Sequence, residues 1–119
     1  MRVLILEDDV DRMKYFRRKF IGHEVTICDD TKELIKELIE NKWDLLYLDH
    51  DLDGKVYVPS GEGTGYEVAE WLSNNLDKCP PEVYVHTLNG DGRKKMLEVL
   101  PQAHSYPFVW ANIYIAGRG

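Results

Sequence analysis

A five-stranded parallel sheet between two layers of helices is the fold this sequence predicts, on three observations. Short apolar runs of strand-forming residues alternate with stretches whose apolar residues recur at helical spacing. The strand–helix alternation holds to a fifth strand, which calls for right-handed crossovers and helices on both faces of the sheet. No internal repeat, low-complexity tract or linker interrupts the pattern, so residues 1–119 read as one domain.

The segment from Arg2 to Leu6 is nearly all apolar, as a strand covered on both faces requires. After Glu7-Asp8-Asp9, the residues Val10, Met13, Phe16 and Phe20 fall at helical spacing, and Gly22 ends that helix. Glu24 to Cys28 reads as the second strand. Asp30 opens a capping arrangement with Glu33 three residues on, and Leu34, Ile35, Leu38 and Ile39 form the buried stripe of the second helix. The third strand, Asp44 to Leu48, runs into Asp49-His50-Asp51. A glycine-rich loop over about 53–64 precedes a third helix over about 65–76, with Val68, Ala69, Leu72 and Leu76 on one face. Pro80 and Pro81 break the chain before a fourth strand, Val83 to His86. The fourth helix spans Gly90 to Leu100 and is closed by Pro101. A fifth strand is predicted near Tyr106 to Val109. The tail beyond it gives no clear helical signal, so a last helix is expected to be missing or reduced.

With 44% hydrophobic and 30% charged residues, the 119-residue chain can bury a core without staples. No apolar run approaches the roughly 20 residues that span a bilayer, and the acids from Glu7 onward fall too early for a signal peptide. Cys28 and Cys79 match no metal spacing or disulfide framework and read as reduced thiols, so the expected location is cytoplasmic. Fifteen basic against 21 acidic residues give a net charge of −6, which argues against coating DNA or RNA in bulk. An enzyme acting on one terminal nucleotide is not excluded, because there local charge matters more than the total.

Ligands of open α/β sheets sit outside the carboxyl ends of the strands, where strand order reverses. The polar residues follow that rule. Strand one ends in Glu7-Asp8-Asp9, strand three in Asp49-His50-Asp51, and strand four in His86-Thr87-Leu88-Asn89. In the flavodoxin-like order 2-1-3-4-5 these three strands are neighbours, and their carboxylates crowd together. Crowded carboxylates raise one another's pKa unless a cation compensates. Mg²⁺ suits the task, since it takes one or two carboxylates and leaves positions for phosphate oxygens. Asp9 and Asp30 are read instead as helix caps. The glycines at Gly90 and Gly92 free backbone amides at a helix start beside Thr87, which predicts an anion site; a plain loop before an exposed basic face is the alternative. Gly61-x-Gly63-x-Gly65 lacks the lysine of a phosphate loop and reads as a flap or simple loop. Tyr66 and Trp71 read as packing residues. His50 and His86 end adjacent strands, where either could serve as acid and base or simply pack; strand alternation points Asp49 away from His50 and His86 away from Thr87.

These residues resemble the receiver domain of two-component response regulators. Val3-Leu4-Ile5-Leu6-Glu7-Asp8-Asp9 is similar to that family's first strand and acidic pair, and Leu45-Leu46-Tyr47-Leu48-Asp49 to the strand that ends in its phosphoryl-accepting aspartate. Thr87 stands where the family has a hydroxyl residue. The resemblance implies that Glu7 and Asp8 hold Mg²⁺ (or another divalent cation), with Asp49 as acceptor or third ligand and Asp51 offering an oxygen. Two parts of the phosphorylation switch are missing. No lysine occurs in Ser105-Tyr106-Pro107-Phe108-Val109-Trp110, and no final amphipathic helix is evident.

A closer resemblance, over nearly the whole chain to about Phe108, is to the cyclic-phosphate processing receiver domain. It is carried by Leu48-Asp49-His50-Asp51-Leu52, the glycine-rich insert leading to Thr64-Gly65-Tyr66-Glu67-Val68-Ala69, and Val85-His86-Thr87-x-Asn89. That branch implies a metal-dependent phosphoesterase acting on a terminal or 2′,3′-cyclic phosphate, in RNA end processing or repair. Its partner would be a phosphate-bearing nucleotide or RNA end, not a membrane. The expected site is then Asp49, His50 and His86 for catalysis, Glu7, Asp8, Asp49 and Asp51 for metal, and Thr87, Asn89 and Gly90 for phosphate. The alternative is a degenerate receiver, acting without catalysis as a phosphoryl acceptor or a protein-interaction module.

Overall fold

The computed structural model describes residues 1–52 and 61–106. The strands are β1 (Arg2–Leu6), β2 (Glu24–Cys28), β3 (Leu45–Leu48), β4 (Glu82–Val85) and β5 (His104–Ser105). The helices are α1 (Val10–Lys19), α2 (Thr31–Glu40), α3 (Gly65–Ser73) and α4 (Gly90–Val99). All neighbouring strands pair in parallel, in the order β2-β1-β3-β4-β5. This is the flavodoxin-like three-layer sandwich that the alternation predicts. No helix among the described residues is long and apolar enough to cross a membrane.

Period-two alternation along the strands builds two cores. Leu4, Leu6, Leu46, Leu48, Val83 and Val85 face α2, α3 and α4, whose Leu34, Leu38, Val68, Ala69, Leu72 and Met96 are buried against them. Val3, Ile5, Leu45 and Tyr47 face the other way, onto Phe16 and Phe20 of the α1 segment. Tyr66 and Trp71 pack against the larger core, and Cys28 and Cys79 are free thiols.

Several details differ from the sequence reading. Val10 and Ile39 are 62% and 52% exposed. On a helical wheel Ile39 lies well off the arc defined by Leu34 and Leu38, so the stripe is narrower than four residues suggest. The third helix stops at Ser73 because Asn74 and Asn75 donate their side-chain amides back to the carbonyls of Glu70 and Trp71, at 3.1 and 2.8 Å. Leu76 therefore falls in a short 3₁₀ turn (Leu76–Lys78) and is 60% exposed. The fifth strand begins two residues before the predicted Tyr106, where Ala103 and Leu100 anchor the approach. Asp53 to Ser60 of the glycine-rich loop, and the segment from Pro107 on, lie outside the described residues.

Candidate functional site at the carboxyl edge of the sheet

Strand register decides which polar side chains meet. Leu6 is level with Leu48, and Leu48 with Val85. Hydrogen bonds carry the pairing one residue further, from Asp49 N to Leu6 O (3.2 Å) and from His86 N to Leu48 O (3.0 Å). Glu7, Asp49 and His86 thus stand side by side on the α1 face, while His50 and Thr87 turn to the α4 face. Asp49 and His50 do point apart, as do His86 and Thr87.

The α1-face group is buried. Glu7, Asp49 and His86 are 0%, 1% and 0% exposed. Glu7 Oε2 accepts from the backbone amides of Asp8 and Asp9, each at 3.0 Å. Its other oxygen lies 2.9 Å from His86 Nε2 and 3.0 Å from Arg12 Nε. The Arg12 Nε contact is an ion pair without hydrogen-bond geometry; Arg12 donates through Nη2 to Asp49 Oδ2 at 3.1 Å, and Asp49 Oδ1 accepts from His50 N at 2.8 Å. The His86 ring is edge-on to Phe16, 5.1 Å between centroids, and tilted against Tyr47.

Burial dominates the ionisation of all three. It pushes Glu7 up to about 7, against the pull of Arg12 and the two amides. It pushes Asp49 up to about 6, with Glu7 adding to the effect and His86 and Arg12 opposing it. It pulls His86 down to about 4, and the Arg12 guanidinium acts in the same direction. His86 is consequently a neutral imidazole near pH 7, while Glu7 titrates there.

The α4-face group is built on the helix start. Asn89 caps α4, its Oδ1 accepting from Gly92 N at 3.0 Å. Its Nδ2 donates to Asp51 Oδ1 at 3.1 Å, and the same oxygen lies 2.7 Å from His50 Nδ1. One Asp51 oxygen thus holds both the Asn89 amide and the His50 ring, and Asn89 Nδ2 also lies 3.3 Å from His50 Nδ1. Thr87 Oγ1 accepts from Asn89 N at 3.1 Å, so its O–H is left to donate elsewhere. Gly90 is exposed in the first turn, where helix amides lack intrahelical partners.

Two glycines make this packing possible. A Cβ on Gly65 would come within 1.8 Å of the Asp49 carbonyl oxygen, and one on Gly92 within 2.5 Å of the His50 ring. Gly65 also donates its N–H to the His50 carbonyl at 2.9 Å. Gly61 and Thr64 close a tight turn ahead of it, through Thr64 Oγ1 to Gly61 O at 2.7 Å. The third glycine of the Gly61-x-Gly63-x-Gly65 triplet therefore serves close approach to β3.

Arg12 is the site residue that the sequence reading missed. A signal was present: Arg12 lies four residues before Phe16, on the inward face, and in a first turn where the helix dipole disfavours a cation. Such a position calls for acidic partners.

Whether a divalent cation fits is decided by the same residue. Glu7, Asp49 and His86 each offer a ligand atom, all within 4.8 Å of one another. Arg12 now supplies the compensating charge for both carboxylates, so an ion fits this set only when the guanidinium has moved off. Asp51 directs its carboxylate to His50 and Asn89, and Asp8, half-buried at the rim, stands outside the three-residue cluster.

The sequence profile of the cyclic-phosphate processing receiver domain matches residues 3–102. The chain belongs to that family. Among solved structures, the Mn(2+)-bound form of the response regulator Rcp1 is 20% identical, with a TM-score of 0.68 over 98% of this chain and 88% of that one. The phosphorylated cyanobacterial phytochrome response regulator RcpA is 18% identical, with a TM-score of 0.71 over 98% and 86%. The response regulator TrrA from Thermotoga maritima, in complex with Mg(2+)-BeF, is 16% identical, with a TM-score of 0.61 over 99% and 97%. No curated protein matches the chain. At these identities the solved structures establish the receiver fold.

Proposed function

We propose that the protein is a phosphoesterase acting on a terminal or 2′,3′-cyclic phosphate at an RNA or nucleotide end, in the cytoplasm. The observation that carries this reading is the pair of histidine–carboxylate couples, His50–Asp51 and His86–Glu7, at the ends of adjacent strands on either side of Asp49. Histidines held by carboxylates are the groups that acid–base chemistry near neutrality most often uses.

Opening a cyclic phosphate forms one P–O bond to water and breaks one to a ribose oxygen, with a net proton transfer from water to that oxygen. His50, held by Asp51, would accept the proton of the water. The Glu7–His86 couple would steady Asp49 beneath the phosphate. Thr87 O–H, the Asn89-capped start of α4 and the Gly90 amide would hold phosphate oxygens. A divalent cation, expected as Mg²⁺, would be held by Glu7 and Asp49 once Arg12 has moved off, and would polarise the phosphorus.

The test is incubation with a nucleoside 2′,3′-cyclic phosphate and with RNA ending in one, with and without Mg²⁺. Release of a monophosphate that is lost in His50→Ala and Asp49→Ala supports the reading; no release from any cyclic or terminal phosphate sinks it. The acceptor alternative is favoured by Asp49 standing at the end of β3. Acetyl phosphate would then label Asp49 stably, with no turnover.

A further inference from the structure

We infer that Arg12 is a tethered cation that exchanges with the divalent ion, so that ion binding expels its guanidinium from Glu7 and Asp49 towards the rim. This rests on the cation half of the proposed function and not on its substrate. Two carboxylates that are 0% and 1% exposed stand at neighbouring strand ends, and both are ion-paired to one arginine. A guanidinium cannot shed its proton, so Arg12 is always present as a competitor for these oxygens. It is also their lid: its side chain is 12% exposed, while those of its partners are sealed beneath it. An ion arriving from water therefore meets Arg12 first.

The two cations cannot share the place. A divalent ion and a guanidinium bound to the same pair of oxygens repel each other strongly in a site shielded from water. The helix supplies a second berth. Asp9, one turn before Arg12, has Oδ2 only 3.9 Å from Arg12 Nε, and its side chain is 34% exposed. Release of Arg12 is thus a short swing from the inner carboxylates to Asp9, which turns the guanidinium outward. There it faces the side from which a phosphate must come, and a guanidinium binds phosphate oxygens two at a time. The ion would take the inner place and Arg12 the outer one.

The experiment is Mn²⁺ and Mg²⁺ binding at neutral pH, by calorimetry and by Mn²⁺ electron spin resonance, on wild type, Arg12→Ala and Arg12→Lys. With the competitor gone, Arg12→Ala should bind either ion about tenfold or more tightly, with Arg12→Lys between it and wild type. Equal or weaker binding by the folded alanine variant, or no binding by any of the three, overturns the inference. Should Arg12→Ala fail to fold, the wild-type protein decides the matter. The Arg12 Nε–H resonance should shift and exchange faster with water as Mg²⁺ is added; an unmoved resonance at Mg²⁺ saturation overturns the exchange. Lack of turnover with exchange intact would remove the phosphoesterase reading and leave this one standing. Ion binding indifferent to Arg12 would do the reverse.

Discussion

Glu7 is the residue whose environment makes the sharpest demand. Its carboxyl group sits under Arg12 with no exposure, and burial lifts its pKa from 4.5 to about 7. Between those two pH values the folded protein binds more of this proton than the unfolded chain does. The favourable contribution is therefore complete below about pH 4.5 and is lost as pH rises through about 7. His86 runs the other way, from 6.5 down to about 4, and its contribution is lost as pH falls. Glu7→Gln leaves His86 in place, so comparing the two proteins reports the glutamate together with the part of the Asp49 shift that Glu7 causes. In metal-free buffer, urea titrations at several pH values should show wild type losing on the order of 1–3 kcal/mol relative to the variant between pH 4.5 and 7. A pH-independent difference would mean that Glu7 is not the group titrating there.

At the scale of elements, the site is a junction between the end of β3 and the starts of α3 and α4, and glycine is its hinge pin. Gly92→Ala would drive a methyl group into the His50 ring, whose closest atom is 2.5 Å from the ideal Cβ. The expected cost is about 1–3 kcal/mol in urea unfolding. Turnover of a cyclic nucleotide should fall by more than that loss explains, because His50 must shift. Retention of full activity would place His50 outside the chemistry. Much of this junction was legible in the chain: apolar runs ending in Glu7, Asp49 and His86 mark the strand ends, and the Gly90-x-Gly92 pair marks the helix start. Applying strand alternation across all three strands together, and not only within each, would also have put Glu7, Asp49 and His86 on one face. What could not be read was side-chain partnership across long separations. Arg12 meets Asp49 only because α1 packs over β3, and Asp51 turns to Asn89 rather than to Glu7 because α4 begins there. The strand after Pro101 begins earlier than the sequence predicts, because two residues carry too little pattern to register.

Over the whole molecule, charge is unevenly spread. The net charge is −6, yet α1 carries exposed Lys14, Arg17, Arg18 and Lys19, none in an ion pair among the described residues. The last three also complement the helix dipole, which Lys14 does not. Since α1 starts at the site, a polynucleotide whose end occupies that site would lay its phosphates along this helix, while the acidic remainder of the surface repels it. Lys14→Glu with Arg17→Glu and Arg18→Glu should raise KM for an oligonucleotide ending in a cyclic phosphate about three- to tenfold at low salt. KM for the free mononucleotide should hardly move. An equal effect on both substrates would show that the helix is not a track for the chain.

The two glycines that crowd β3 reach beyond this one chain. They turn the site into something that can be looked for. Any related sequence carrying Asp-His-Asp after its third strand can pack that segment as here only if glycine stands in the first turn of both following helices, at the positions of Gly65 and Gly92. A larger residue at either place forces the helix away or the imidazole aside. Such a relative would keep the motif on paper and lose its geometry, and it should be sorted with the plain receivers until its own structure says otherwise.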